Sequence, residues 1–289
     1  MFSALPGRYA AQIIGGVALV GFVSARFGLA EWFGQLTAAL VIMLAYWLSS
    51  ASATREPWFR ESGVNLEGTR GNPTVWLVAH IDSKSQPIST AVRSLGVLLV
   101  AVGLVGQFIV PWPQDFYVYY LGMIGGAILL LAGVGANSDG AADNASGVAA
   151  VLEAAALIAR DRPVGVLITD AEELSLAGAR AWIAQRTEKG VAINCDTVDD
   201  DGPVTVIDYG NLRSQSFTNA RVISQAKLPG VLTDSNAFRA DGWPTLTLSR
   251  GTIRTLNRIH TRRDSLDNLR GTGIPDAAKA LARLFEELT

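Results

Sequence analysis

The chain has 289 residues, of which 49% are hydrophobic and only 17% are charged, and its net charge is −2. A typical soluble domain carries about 25% charged residues, so this composition excludes a purely soluble enzyme. The small net charge excludes the basic field of a nucleic-acid-binding protein, and the single cysteine, Cys195, excludes a disulfide-stapled secreted scaffold. Residues 1–138 hold 13 charged side chains and residues 139–289 hold 37. We therefore predict a membrane region followed by a globular one.

Four uncharged stretches occupy the first part of the chain, at residues 9–25, 32–54, 94–114 and 116–138. Each is long enough for a helix to cross the hydrocarbon core, which takes about 17–25 residues. Short links at residues 26–31 and 111–115 then give two transmembrane hairpins. Most Lys and Arg residues near the span ends lie on the side of the globular part. The positive-inside rule therefore places the globular part on the cytoplasmic side of the membrane, which we expect to be a bacterial-type cell membrane.

The expected organisation has four parts. Residues 1–54 form the first hairpin, residues 55–93 a linker and the start of the globular domain, residues 94–134 an inserted hairpin, and residues 135–289 the remainder of the domain. Within the inserted hairpin, Gly122 and Gly126 form a G-x-x-x-G pair. Such a pair permits close helix contact, although glycine is also simply common in membrane helices.

Strand-like and helix-like segments alternate in the globular part. Short apolar runs at residues 74–79, 164–169, 191–195, 204–208 and 245–249 predict strands, and residues 147–160, 176–186, 214–227 and 274–288 predict helices. This alternation is typical of an α/β fold with a mostly parallel sheet.

Imidazoles and carboxylates gather at the ends of these predicted strands, where open α/β sheets place their sites. The chain has only two histidines, and both belong to this set. A mixture of imidazole and carboxylate suits zinc, and two such groups of ligands can hold a pair of ions. The candidate site residues are His80, Asp82, Asp143, Glu172, Glu173, Asp196 and His260.

The adjacent pair Glu172 and Glu173 fits the chemistry of hydrolysis. Neighbouring side chains of an extended chain point in opposite directions, so one carboxylate can bind metal while the other acts as general base toward metal-activated water. The alternative is a solvent-exposed acidic turn. The other polar clusters favour the first interpretation.

The motifs H-x-D, G-A-x-D-N-A-S-G, D-x-E-E-x-x-L-x-G, N-x-D and H-T-x-x-D occur in this order. Together they resemble the M28 family of zinc aminopeptidases, over residues 71–89 and 135–289. The resemblance implies a three-layer α/β domain and a site with two zinc ions. It also implies a cis peptide bond between Asp143 and Asn144.

The resemblance further implies a role for each candidate. Asp143 would bridge both ions, His80 and Glu173 would complete the shell of one, and Asp196 and His260 that of the other. Glu172 would be the general base, and Asp82 would orient His80. The sequence departs from the family pattern at Ala142, at residues 197–201 and at Asn236, which bears on substrate recognition more than on metal binding.

These observations predict a membrane-embedded di-zinc metallopeptidase that hydrolyses an amide bond at a peptide N-terminus. Its partners would be a peptide or amphipathic amide substrate and the lipid bilayer, with no nucleic acid. Alternatives of the same fold are a single-zinc glutaminyl cyclase-like transferase and an amidase acting on a lipid or other non-peptide amide. A third is a non-catalytic membrane receptor or scaffold.

Overall fold

The computed structural model describes residues 5–27, 36–37, 39–41, 43–44, 63–109, 116–210, 212, 221–228 and 231–289. The predicted span at residues 32–54 therefore lies largely outside the described residues. The strands are β1 (Leu66–Arg70), β2 (Val75–His80), β3 (Val164–Thr169), β4 (Val191–Val198), β5 (Val204–Asp208), β6 (Arg221–Ser224) and β7 (Thr245–Arg250). The helices are α1 (Leu5–Arg26), α2 (Thr90–Ile109), α3 (Phe116–Leu130), α4 (Ser146–Leu157), α5 (Ala177–Ile183), α6 (Asp234–Ala240), α7 (Ile253–Arg258) and α8 (Ile274–Leu288).

The seven strands form one sheet in the order β1-β3-β2-β4-β7-β5-β6. The central strands β3, β2, β4 and β7 are mutually parallel, whereas β1 and β5 run antiparallel to their neighbours β3 and β7. The predicted α/β fold with a mostly parallel sheet is confirmed.

Strand β2 shows why helices cover both faces of this sheet. Val75, Leu77 and Ala79 pack with the apolar sides of α4 and α8, and Trp76 and Val78 pack on the opposite face with α5 and α6. A parallel strand that is apolar on both faces must be covered on both to leave water. The result is a layer of helices on each side of the sheet, with the carboxyl ends of the parallel strands along one edge.

The edges of the sheet differ from the sequence prediction. The helix predicted over residues 214–227 is wrong for residues 221–227, because Arg221–Ser224 is strand β6, which pairs with β5, and Gln225–Lys227 is a short 3-10 turn. Residues 214–220 lie outside the described residues. Strand β1 was not predicted, because four of its five residues are exposed and its sequence does not alternate. Pairing with a neighbouring strand decides the structure at both edges.

Helices α1, α2 and α3 pack together around the apolar side chains of Ala18, Phe22, Val100 and Leu129. A Cβ atom added at Gly126 would lie 2.9 Å from the backbone oxygen of Gly15, and one added at Gly122 would lie 2.4 Å from the Phe22 ring. Both glycines of the G-x-x-x-G pair are therefore needed for close helix contact.

Within the described residues, one helix, Thr90–Ile109, is long and apolar enough to cross a membrane. The apolar helical stretches Ala11–Arg26 and Tyr117–Leu130 are shorter. Helix α3 ends at Leu130, eight residues before the end of the uncharged stretch at residue 138. Beyond the helix, Gly135 pairs with Ser85 in an isolated β-bridge, so this part of the stretch belongs to the globular domain.

Asp199 ties α7 to the end of the sheet and supports a prediction about stability. Its carboxylate accepts hydrogen bonds from Thr255 Oγ1 at 2.6 Å and from Arg258 Nη2 at 2.8 Å, and the residue is buried. Asp199→Ala removes the carboxylate that faces the Arg258 guanidinium, and we expect the free energy of unfolding to fall by about 2–4 kcal/mol. Thermal unfolding measures this loss. The exposed neighbour Asp201 is the matched control, and equal melting of Asp199→Ala and Asp201→Ala would contradict the assignment.

Candidate metal centre

The predicted site residues converge at the carboxyl edge of the parallel strands. His80 is the last residue of β2, Asp196 lies near the end of β4, and Glu172 and Glu173 follow β3. Asp143 lies in an irregular turn, Ala141–Ala145, that leads into α4, and His260 follows α7. His80, Asp143, Glu172 and His260 are buried. Side chains far apart in the sequence therefore share one enclosed space.

Asp143 lies between the two histidines. Its Oδ1 atom is 3.2 Å from His80 Nε2, and its Oδ2 atom is 2.9 Å from His260 Nε2. Two groups of possible ligand atoms result, one from His80, Asp143 and Asp196 and the other from Asp143, Glu173 and His260. In each group the ligand atoms lie within 4.8 Å of one another. Asp143 is the member that the two groups share.

The four candidate ligands other than Asp143 are divided between the two groups differently from the way that the resemblance implied. His80 is grouped with Asp196, at 3.9 Å between Nε2 and Oδ1, and His260 with Glu173, at 2.8 Å between Nε2 and Oε1. The pairing of His80 with Glu173 and of Asp196 with His260 is therefore wrong. Strands β2 and β4 are parallel neighbours, which brings His80 and Asp196 together. After β3 the chain turns through left-handed conformations at Ala171, Ser175 and Leu176, with Glu173 between them facing His260.

The donor set fits zinc. Each group combines an imidazole nitrogen with carboxylate oxygens, which are ordinary zinc ligands. Glu173 Oε1 is buried and has no hydrogen-bond donor among the described residues, although it lies 2.8 Å from His260 Nε2. Glu173 Oε1 and His260 Nε2 are therefore close together but not hydrogen-bonded, and both atoms face the same small space. A cation in that space would satisfy both.

Both imidazole rings are oriented by contacts to their other nitrogen. His80 Nδ1 is 3.0 Å from the backbone oxygen of Asp82, and His260 Nδ1 is 3.0 Å from Thr90 Oγ1, on the first residue of α2. Each ring therefore turns Nε2 toward the centre, the orientation that outer contacts commonly give metal-binding histidines.

Asp82 contacts more than His80. Its carboxylate oxygen lies 3.4 Å from His80 Nδ1, but its two oxygens also accept the backbone N–H groups of Glu172 at 2.9 Å and Glu173 at 3.1 Å. Asp82 thereby holds both the histidine and the Glu-Glu segment in place. The sequence spacing carried no sign of this second contact, because it depends on the loop after β3 folding back over β2.

Two further side chains explain parts of the motifs that had no assigned role. The Asp264 carboxylate accepts the N–H groups of Ala142 at 2.8 Å and Asp143 at 3.2 Å, so the final Asp of H-T-x-x-D supports the shared ligand. The Asn144 side chain donates to the backbone oxygen of Cys195 and accepts from the N–H of Thr197, which anchors the backbone on both sides of Asp196. The predicted cis peptide bond between Asp143 and Asn144 is present.

The adjacent glutamates differ in their electrostatics. Burial raises the pKa of Glu172 well above its usual range, and the nearby carboxylates of Glu173 and Asp196 add to this against the opposing charge of His80. Burial acts the same way on Glu173, but His260 and Lys84 outweigh it and lower the pKa of Glu173 to about 2. Two carboxylates with pKa values pushed apart are suited to different roles. Glu172 can hold a proton, whereas Glu173 remains an anion.

Two other buried residues near the centre, Lys84 and Asp234, were missed from sequence. Lys84 is buried and its ammonium contacts the Glu173 carboxylate. In the stretch where Asn236 departs from the family pattern, Asn236 caps α6, and the buried residue is Asp234, whose pKa burial raises to about 7. Cys195 is fully buried with a raised thiol pKa, also by burial, which agrees with a structural role.

The sequence matches Peptidase family M28 over residues 64–285. The chain therefore belongs to peptidase family M28, a family of hydrolases, and the resemblance seen in the motifs is confirmed.

Solved structures of similar fold include two bacterial aminopeptidases. The aminopeptidase from Aneurinibacillus sp. strain AM-1 is 16% identical with a TM-score of 0.48, and the match covers 78% of this chain and 47% of that one. The Legionella pneumophila LapA aminopeptidase is 15% identical with a TM-score of 0.49, covering 98% and 73%. The gamma-secretase component Nicastrin is 8% identical with a TM-score of 0.38, covering 78% and 43%. This chain thus spans about half the length of the first of them, and no curated protein matches it.

Proposed function

We propose that the protein is a membrane-embedded di-zinc peptidase that hydrolyses an amide bond at the N-terminus of a peptide. The observation that carries this proposal is the position of Asp143, whose two carboxylate oxygens face different histidines. His80, Asp143 and Asp196 would hold one ion, and Asp143, Glu173 and His260 the other. When bound, such ions supply Lewis acidity toward the scissile carbonyl and toward water.

The protein's own contribution to the reaction centres on Glu172. Its carboxylate accepts a proton from the attacking water as the water oxygen bonds to the carbonyl carbon. When the carbon–nitrogen bond breaks, the same carboxyl group delivers that proton to the leaving amine. The raised pKa of Glu172 supports both transfers, and Asp82 supports them indirectly because it holds the backbone N–H of Glu172.

We further propose that the protein is embedded in the membrane by four spans, within the domain limits predicted from the sequence. The metal centre would then lie on the cytoplasmic side. Helix α2 supports the embedding by its length and apolarity, and its side chains Leu98, Phe108 and Ile109 are exposed by 58–72%. The helix also begins at the metal centre, because Thr90 contacts the His260 ring. A hairpin rooted there would keep the site close to the bilayer surface.

A substrate with a hydrophobic tail is expected to react faster than its untailed counterpart with the same scissile amide. A tail that partitions into the bilayer concentrates the substrate where the site lies, so kcat/KM in nanodiscs should rise. The measurement compares tailed and untailed aminoacyl amides, with product masses to separate hydrolysis from cyclisation. Equal kcat/KM for the two substrates would reduce the inserted hairpin to an anchor.

A further inference from the structure

An exposed surface beside the metal centre combines apolar and basic side chains. It consists of α7, the loop after it and the 3-10 turn Leu266–Asn268, and it is called the α7 surface below. Ile253 is 67% exposed, Leu256 43% and Leu266 76%. Such large exposed apolar side chains, gathered in one short segment, indicate a surface that meets a partner.

Positive charge is concentrated in the same segment. Residues 253–268 contain four arginines and two aspartates, in a chain whose net charge is −2. One aspartate, Asp264, is buried and bonded to the backbone of Asp143, so its charge faces the metal centre. The exposed charges of this surface are those of Arg254, Arg262, Arg263 and Asp267. The outer side of the segment is therefore basic.

Hydrogen bonds join these pieces into one surface. Arg258 Nη1 donates to the backbone oxygen of Asn268 at 2.9 Å, which holds the 3-10 turn against α7. Arg263 Nη2 donates to the backbone oxygen of Asn257 at 2.9 Å, which holds the intervening loop. Ile253, Leu256 and Leu266 thus belong to one compact segment.

The α7 surface lies at the base of the membrane helix. Helix α7 contacts α2, and His260, within the segment, contacts Thr90 at the first position of α2. A bilayer crossed by α2 has its headgroup region near this end of the helix. Apolar side chains next to arginines are the chemistry of surfaces that rest in that region, where the aliphatic groups enter the acyl boundary and the guanidinium groups meet phosphates.

We propose that the α7 surface contacts the headgroups of an anionic bilayer and thereby orients the His260 loop toward the membrane. The inference rests on the membrane embedding in the proposed function. It adds that the globular domain is held against the lipid by a second contact, independent of the hairpins. Charge complementarity and continuity with α2 favour a lipid surface over a protein partner.

Site-specific fluorescence in the full-length protein tests this contact. An environment-sensitive fluorophore is attached to Leu266→Cys, and the unlabelled background is low because Cys195 is fully buried. Leu157→Cys is the matched control, since Leu157 is an exposed leucine at the far end of α4 from the metal centre. Ile109→Cys, on α2, reports on the embedding itself. The protein is placed in nanodiscs of phosphatidylcholine alone or mixed with phosphatidylglycerol, with and without spin-labelled lipid as quencher.

The label at position 266 is expected to shift to the blue and to lose intensity to the lipid quencher in the anionic nanodiscs, while the label at 157 does neither. Arg254→Glu together with Arg262→Glu should reduce the quenching at 266 in the anionic discs only. If the 109 label is quenched and the 266 label behaves like the 157 label, the α7 contact is overturned and the embedding stands. If the 109 label is not quenched, both fail. A label at 266 that is shielded from water but not quenched by lipid would also overturn the contact, in favour of a protein partner.

Discussion

Glu172→Gln is expected to lower kcat by about 10²–10⁴-fold, the usual cost of removing a positioned general base. Glutamine keeps the size and polarity of the side chain but cannot accept a proton from water. The backbone N–H of residue 172 still donates to Asp82, so the loop that carries Glu173 should keep its conformation. Metal content should therefore remain that of the wild type.

Glu173→Gln provides the contrast, because it changes the neighbouring carboxylate, which lies 2.8 Å from His260 Nε2. This variant should lose metal as well as activity, whereas Glu172→Gln loses activity alone. Steady-state kinetics and elemental analysis on the same preparations separate the two. Wild-type turnover by Glu172→Gln, or loss of its metal, would assign Glu172 another role.

The purified full-length protein is expected to contain about two zinc ions per chain, one for each group of ligand atoms. His260→Ala should remove the ion shared by Asp143, Glu173 and His260 and leave the other. His80→Ala is the matched control, because it removes a ligand of the other ion and leaves Asp143, Glu173 and His260 unchanged. Asp143→Asn should weaken both ions, since its carboxylate belongs to both groups.

Elemental analysis after gel filtration measures these contents, and activity should be lost in all three variants. One tightly held ion in active wild-type protein would favour the single-zinc transferase alternative instead. Active wild-type protein without metal would contradict the assignment. Equal zinc in His260→Ala and the wild type would remove His260 from the ligands.

Local sequence was sufficient for the elements whose burial is dictated by their own residues. The apolar run Val164–Thr169 is strand β3 over the predicted range, and α8 begins at the predicted Ile274 with Ala277, Leu281 and Phe285 facing the core. A strand that is apolar on both faces and a helix with one apolar side each have only one way to leave water. The edge strands β1 and β6 are not apolar on both faces, and their structure depends on pairing with the neighbouring strands β3 and β5.

The same division holds at the metal centre. The sequence by itself determined which side chains gather there, because parallel strands end at a common edge and their following residues must meet. It did not determine which histidine faces which carboxylate. That depends on the left-handed turns around Glu173, on Asp82 accepting two backbone N–H groups, and on Thr90 reaching the His260 ring. The contacts of Asp82 and Thr90 join residues 90 to 170 positions apart, and only the folded chain brings them within hydrogen-bonding distance.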